Sequence, residues 1–399
     1  MRGAGRSAAG APPRAPEPTR RQRDDRPGRD RRPPPPRMSH RSGPDARTVG
    51  IMADPGLPEK VARSVVRGLE EDLRRGGDGH PGGWAVEVSR ETLPLTGEGT
   101  IPLFDHAPRL LEEHGWDVVV YLTDLPRVHE DEPLLLEVDL EQRAALVCLP
   151  AMGADLFRRK MRRLTDVLVD AVAAADARRP TEAELRRALG RRTVRRAGPG
   201  DGDDVVRAVL PGALNRLRLL AGMVHSNRPG RLVRALSSCV AAATATGAFG
   251  IFYASIWNLS DGLSPLRLLG ISAMVVAALS TWLIVHNGLW NRLHGSSRPW
   301  REGLDNASTV LTVGLSVALM YLLLWAVLFV IALAVVDADY LAGQLGHGID
   351  LFDYGHLTWL AASLGTMAGA LGSNFDGDEA IREATYSKRE HQRRLLADG

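Results

Sequence analysis

TVLTVGLSVALMYLLLWAVLFVIALAVV, Thr309 to Val336, contains no Asp, Glu, Lys or Arg. A helix needs about 20 mostly apolar residues to cross a hydrocarbon core of roughly 30 Å. A charge at the centre of a span costs roughly 2.5 to 3.5 kcal/mol. So long an uncharged apolar stretch is implausible as a helix of a soluble core. It reads as a transmembrane helix, and the rest of the chain is arranged around it.

Working outward, three more segments read as spans: about 235–257 and 268–290 before it, and about 355–372 after it. The last is the shortest and the richest in Gly and Ala. Flanking charge orients them, because short cytoplasmic segments retain Arg and Lys. Arg228, Arg231 and Arg234 precede the first span, Arg292, Arg298 and Arg301 follow the second, and Lys388, Arg389, Arg393 and Arg394 follow the fourth. The loop after the third carries Asp337, Asp339, Asp350 and Asp353 instead. Both chain ends are therefore expected on the cytoplasmic side of the cell membrane. Trp257, Trp290, Trp300 and Trp359 lie near span ends, where an indole can anchor in the interface. On the fourth span Ala361, Gly365 and Gly369 recur at four-residue intervals, a helix-packing stripe that lets another helix approach closely. Its partner is sought first within the bundle; a homo-oligomer would use the same stripe.

Everything before these spans is a different material. Residues 1–46 are rich in Arg and Pro, with the run Pro33 to Pro36, and are expected to form a disordered tail. From Arg47 short apolar runs alternate with amphipathic helical patterns, the sign of an α/β domain over residues 47–178. Its sheet is expected to be mostly parallel with flanking helices. Thr48 to Ala53 reads as a strand, Trp84 to Val88 as an edge strand, and Val118 to Leu122 as a central one. Leu134 to Leu140 and Ala144 to Leu149 read as a hairpin. A helix follows from about Ala154, and Thr181 to Glu184 is a capping-box pattern that starts another. Residues 179–230 read as a helical, basic linker in which 205–224 suits an interfacial helix or one packed on the soluble domain. The membrane domain spans 231–373, and 374–399 is a cytosolic tail.

The formal net charge is +3 and the pI about 9.1, so a nucleic-acid partner is not expected. Cys148 and Cys239 fall in a strand and in a span, which speaks against a disulfide framework. No apolar leader stands at the N-terminus. In an open parallel sheet ligands sit at the carboxyl ends of strands. There the chain carries Asp54-Pro55-Gly56, Thr123-Asp124-Leu125-Pro126 and Pro150-Ala151-Met152-Gly153. Asp54, Gly56, Asp124 and Gly153 are accordingly the ligand-binding candidates, and two carboxylates on neighbouring strands could share a metal or ligand cation. The plainer reading, that Asp and Pro end strands and cap helices, is preferred. Neither G-x-G-x-x-G after the first strand nor G-x-x-x-x-G-K-[ST] occurs, so no nucleotide cofactor is expected. His106, His114 and His129 are scattered without a zinc-site spacing, and no metal is expected. No G-x-S-x-G elbow supports a hydrolase, and no catalytic residue can be named. No span buries an ionisable group near its middle, which argues against ion-coupled transport.

The opening Val49-Gly50-Ile51-Met52-Ala53-Asp54-Pro55-Gly56, the strand end Tyr121 to Pro126 and the segment Cys148 to Gly153 together resemble a group of uncharacterised actinobacterial membrane proteins. The likeness continues through Arg216 to Met223 into the first span, and covers most of residues 48–375. Some members carry a methylene-tetrahydrofolate dehydrogenase label; this chain lacks the dinucleotide fingerprint that activity requires. The resemblance implies an α/β domain followed by an all-α four-helix transmembrane bundle, and no activity.

These readings converge on an integral membrane protein embedded in a lipid bilayer. It is expected to be a non-enzymatic, membrane-anchored module that binds a cytosolic ligand or protein of unspecified identity. The alternative is a membrane-anchored enzyme using Asp54 and Asp124 at the strand ends. A third reading is an oligomeric small-solute transporter.

Overall fold

The computed structural model describes residues 47–75, 84–89, 91–97, 100–153, 157–173, 180–189, 194–197, 205–290, 299–388 and 390–393. The tail expected over 1–46 lies outside them. The N-terminal part runs β1 (Thr48–Ala53), α1 (Leu57–Arg75), β2 (Ala85–Val88), α2 (Leu103–His114), β3 (Val118–Thr123), β4 (Val128–His129), β5 (Glu132–Asp139) and β6 (Ala144–Cys148). It continues through α3 (Leu149–Met152), α4 (Phe157–Ala173), α5 (Glu182–Leu189), β7 (Arg195–Ala197) and β8 (Val205–Val209).

One sheet joins these strands in the order β2-β1-β3-β6-β5-β8-β7, with β4 paired to β5 off that path. The pairs β2–β1, β1–β3 and β3–β6 are parallel, in the register Ala53 with Leu122 and Leu122 with Val147. The pairs β5–β6, β5–β8 and β7–β8 are antiparallel. The sheet is therefore mixed, which corrects the expectation of a mostly parallel one. The second antiparallel hairpin was hidden because Val205-Val206-Arg207-Ala208-Val209 was read as the start of a helix. As a strand it buries Val206, Ala208 and Val209. Its Arg207 donates from Nε to Glu137 Oε1 at 2.9 Å, while Arg127 donates to Glu137 Oε2 at 2.8 Å. Glu137 is nearly buried on β5 and accepts from both neighbours, which compensates its desolvation.

The parallel half has an apolar core on each face. Val49, Ile51, Val118, Val120 and Leu122 meet Val61, Val65 and Leu69 of α1 and Leu164 of α4 on one side. Met52, Val119 and Tyr121 meet Leu103, Ala107 and Leu111 of α2 on the other, with Trp116. Gly50 permits that second face: a Cβ there would stand 2.0 Å from the Trp116 ring. The capping box at α5 forms, since Thr181 N donates to Glu184 Oε2 and Glu184 N to Thr181 Oγ1.

The C-terminal part is helical: α6 (Ala213–Asn227), α7 (Gly230–Ala235), α8 (Ser237–Ile251), α9 (Ala254–Asp261), α10 (Pro265–His286), α11 (Pro299–Val335), α12 (Ala338–Leu345), α13 (Leu351–Gly372) and α14 (Asp378–Thr385). Among the described residues Pro265–His286 and Gly303–Val335 are long and apolar enough to cross a membrane. Ala213–Ala235 with Ser237–Ile251 adds a third crossing only if that pair, bent by 60°, counts as one span. Phe249, Met274, Leu315, Leu322 and Val330 are exposed, an apolar surface that suits lipid better than water.

Within 235–257 the helix breaks at Phe252-Tyr253, leaving α8 with 15 residues. That is about 22 Å at 1.5 Å per residue, short of the hydrocarbon thickness. α13 is long, but much of it is buried, Ala361, Ala362, Ser363, Gly365, Thr366 and Gly369 included. α8 and α13 pack backbone to backbone: a Cβ on Gly365 would lie 2.4 Å from the Ala243 carbonyl oxygen, and one on Gly369 3.2 Å from that of Cys239. Ala361 lies against Gly247 and Gly250. The stripe of small residues on α13 thus faces α8 of the same chain.

Two of the indoles expected as interfacial anchors are satisfied inside the protein. Trp257 is buried and donates to the Ile251 carbonyl at 2.7 Å. Trp359 donates to Ser272 Oγ at 2.6 Å, within a cluster in which the Tyr321 hydroxyl bonds Ser272 and Ser363. That uncharged cluster ties α10, α11 and α13 together. Trp290 is exposed, as an anchor would be.

Candidate functional site

The parallel strands β1, β3 and β6 end on one edge of the sheet, which brings Asp54, Asp124 and the turn before Gly153 to the same side. Their environments differ. Asp54 is fully buried; Tyr121 Oη donates to its Oδ1 and Thr123 Oγ1 to its Oδ2, each at 2.7 Å. Its backbone N–H continues the ladder to the Leu122 carbonyl at 2.9 Å. With both oxygens engaged by hydroxyls of the adjacent strand, Asp54 fastens β1 to β3, which favours the structural reading of this residue. Gly56 and Gly153 have φ of +117° and +84°, so each serves a turn that an L side chain would strain.

Asp124 is placed differently. It lines a cavity of about 20 Å³ together with Pro126, Met223, Asn227, Asp305, Ser308, Thr309, Tyr386, Ser387 and Glu390. That volume holds roughly one water molecule or one small ion. Asp54 is not among the lining residues, so the two carboxylates do not share this cavity. The strand end contributes Asp124 and Pro126, α6 contributes Met223 and Asn227, α11 contributes Asp305, Ser308 and Thr309, and the segment after α14 contributes the rest.

Local sequence explains the convergence. Gly222 lets α6 rest on α3, because a Cβ there would stand 2.1 Å from the Pro150 carbonyl oxygen. α6 is therefore packed on the sheet domain, the plainer of its two expected placements. Arg228, at φ 54°, ends the helix and leaves Asn227 buried. Asn227 Nδ2 donates to Thr312 Oγ1 at 3.1 Å, and its Oδ1 accepts from the Ser387 N–H at 3.1 Å. One amide thus joins α6, the long apolar helix α11 and the C-terminal segment. Tyr386 Oη donates to the Leu289 carbonyl at 2.8 Å, and Arg382 Nε to the Asn287 carbonyl at 2.9 Å. Both hold that segment to the end of α10.

Arg393 closes the acidic side. It donates to Glu390 through Nε at 2.9 Å and Nη2 at 2.6 Å, and to Asp305 Oδ2 at 3.2 Å. Glu390 first, and then Asp305, raise its pKa further above the usual arginine value, against the opposing effect of burial. At the same edge burial pushes the Cys148 thiol up, and its Sγ donates to the Leu125 carbonyl. A thiol held protonated in this way is a poor nucleophile.

Asp124 is thus the one proposed ligand residue that the structure brings to the cavity; Asp54, Gly56 and Gly153 shape turns and pairing around it. Asn227, Asp305, Tyr386, Ser387 and Glu390 were not singled out from sequence, and Arg393 was read only as a flanking charge. Ser387-x-x-Glu390 was legible, since it has capping-box spacing and Glu390 N donates to Ser387 Oγ at 3.3 Å. Nothing in the sequence alone pairs it with Asn227. No protein-family model matches the chain, and no curated protein or solved structure matches it.

Proposed function

We propose that this chain is a non-enzymatic, multi-pass protein of the cell membrane whose α/β domain binds a cytosolic ligand or protein and relays that event to the bundle. The supporting observation is the cavity at Asp124, which the carboxyl edge of the sheet lines together with α11, beside an amide, Asn227, that bonds both α11 and the C-terminal segment. A change at the strand end can reach α11 through Asn227 without crossing a flexible linker. The lineage we infer is that of the actinobacterial proteins it resembles.

Replacing Asn227 with Ala removes the shared amide and leaves the Thr312 hydroxyl and the Ser387 N–H to find other partners. A lost buried hydrogen bond costs about 1 to 3 kcal/mol, and 1.4 kcal/mol is tenfold in an opening equilibrium. In the full chain in detergent, Asn227→Ala should therefore raise amide exchange about tenfold or more in both 124–125 and 386–388. Faster exchange in only one of the two segments would mean that they are not coupled.

We further propose four crossings with both ends cytoplasmic. α13 would be the fourth, and α8 with its flanking turns the first, sheltered from lipid by its contact with α13. The flanking Arg residues support this orientation. A reporter fused after Ser373 should behave as cytoplasmic; an exported signal would invert the topology or remove the fourth crossing.

A further inference from the structure

At the opposite end of the bundle, three ligand-type side chains from separate elements converge. Asp261 ends α9, His347 follows α12, and Asp353 lies in the first turn of α13. Their ligand atoms all lie within 4.8 Å of one another. Asp261 and Asp353 also line a small cavity of about 10 Å³ with Ser260 and His356.

The imidazole carries the argument. His347 Nδ1 lies 2.9 Å from the Gly348 carbonyl oxygen, which can only accept, so the ring hydrogen sits on Nδ1. In the neutral ring Nε2 then presents a lone pair, and it faces Asp261 Oδ1 at 3.2 Å. At that separation the pair needs either a second ring proton, which would make Nε2 a donor to Asp261, or a metal ion held between the two ligand atoms. A carbonyl holding Nδ1–H is also the arrangement that aims Nε2 of a histidine at a metal. Asp353 is steadied likewise, because its Oδ2 accepts from the Asp350 N–H at 2.8 Å while Oδ1 is not engaged by that bond.

We propose that Asp261, His347 and Asp353 form a binding site for a divalent transition-metal ion, zinc by preference. One imidazole and two carboxylates make an N/O set suited to zinc with a fourth position left to water. Zinc bonds of about 2.0 to 2.2 Å put neighbouring ligand atoms of a tetrahedron roughly 3.3 to 3.5 Å apart, so the His347–Asp261 pair already stands near an edge length. Asp353 completes the set with a side-chain rotation. The ion would clip α9, the turn after α12 and the start of α13 together. The site is independent of the function proposed above.

The test uses the full chain, purified in detergent with a histidine-free tag and stripped with chelator. Added zinc should bind one ion per chain and raise the thermal midpoint. His347→Ala and Asp261→Asn should each weaken that binding by at least the roughly 100-fold that lesser changes around metal sites cause. Both side chains are substantially exposed, so the metal-free midpoints should match the parent. Magnesium at the same concentration should not substitute. Absence of stoichiometric zinc, or equal binding by parent and His347→Ala, would overturn the proposal and leave a proton as the bridging cation.

Discussion

Gly365→Leu should destroy the folded bundle. The Cβ alone would enter 2.4 Å from the Ala243 carbonyl oxygen and 3.2 Å from the Gly247 nitrogen. Both are backbone atoms of α8, so no side chain can swing away, and the two helices must part. Overpacking of a core that can relax costs about 1 to 3 kcal/mol, and this contact exceeds that range because it also breaks the Gly369 and Gly372 approaches. A loss above 3 kcal/mol should lower the thermal midpoint by about 6 °C or more, or prevent recovery of a monodisperse protein. Gly270→Leu is the control: α10 has nothing within 4 Å of that position, and the midpoint should hardly move. Equal behaviour of the two variants would remove the α8–α13 contact as the centre of the bundle.

Asp376→Ala should be the most damaging single change on the C-terminal segment. α8 begins without a side-chain cap of its own, as Leu236 occupies the cap position. Asp376 supplies one from far along the chain, its Oδ1 accepting from Ser238 N–H at 2.8 Å and its Oδ2 from Cys239 N–H at 3.1 Å. A carboxylate there also meets the positive end of the helix dipole. Hydrogen bonds to a charged group and the dipole term together suggest a loss of roughly 2 to 4 kcal/mol. Asp376→Asn retains one acceptor oxygen and should recover part of it. Denaturant or thermal unfolding of the three proteins should rank them Asp, Asn, Ala; an Ala variant as stable as the parent would show that water caps α8 as well.

The legible parts of the fold were those with local periodicity. β1, β3 and the β5–β6 hairpin stand out because runs such as Val118-Val119-Val120-Tyr121-Leu122 are buried on both faces, and α10 and α11 because their length and apolarity need no partner. Where a residue's role depends on a distant partner, sequence misled. β8 was taken for a helix because its complement, Glu137 of β5, lies 70 positions away. The small-residue stripe of α13 was expected to pack within the bundle, but only the structure identifies α8 as its partner. The candidate site divides in the same way. Asp124 was visible as a strand end, whereas its companions come from α6, α11 and the segment after α14, and no spacing rule links them.

The chain read as a cytosolic tail has a consequence for biosynthesis. The amide of Ser238 leaves the ribosome 138 residues before the carboxylate that caps it. At roughly 5 to 20 residues per second, that interval is on the order of ten seconds. For most of it α8 lacks both its cap and its close partner α13, so its packing stays unfinished while the intervening helices are made. Residues made after α13 also close the Asp124 cavity and staple α10. Assembly is thereby timed by residues that follow α13, and a chain stopped after α13 would be left with α8 uncapped and the junction to the sheet open.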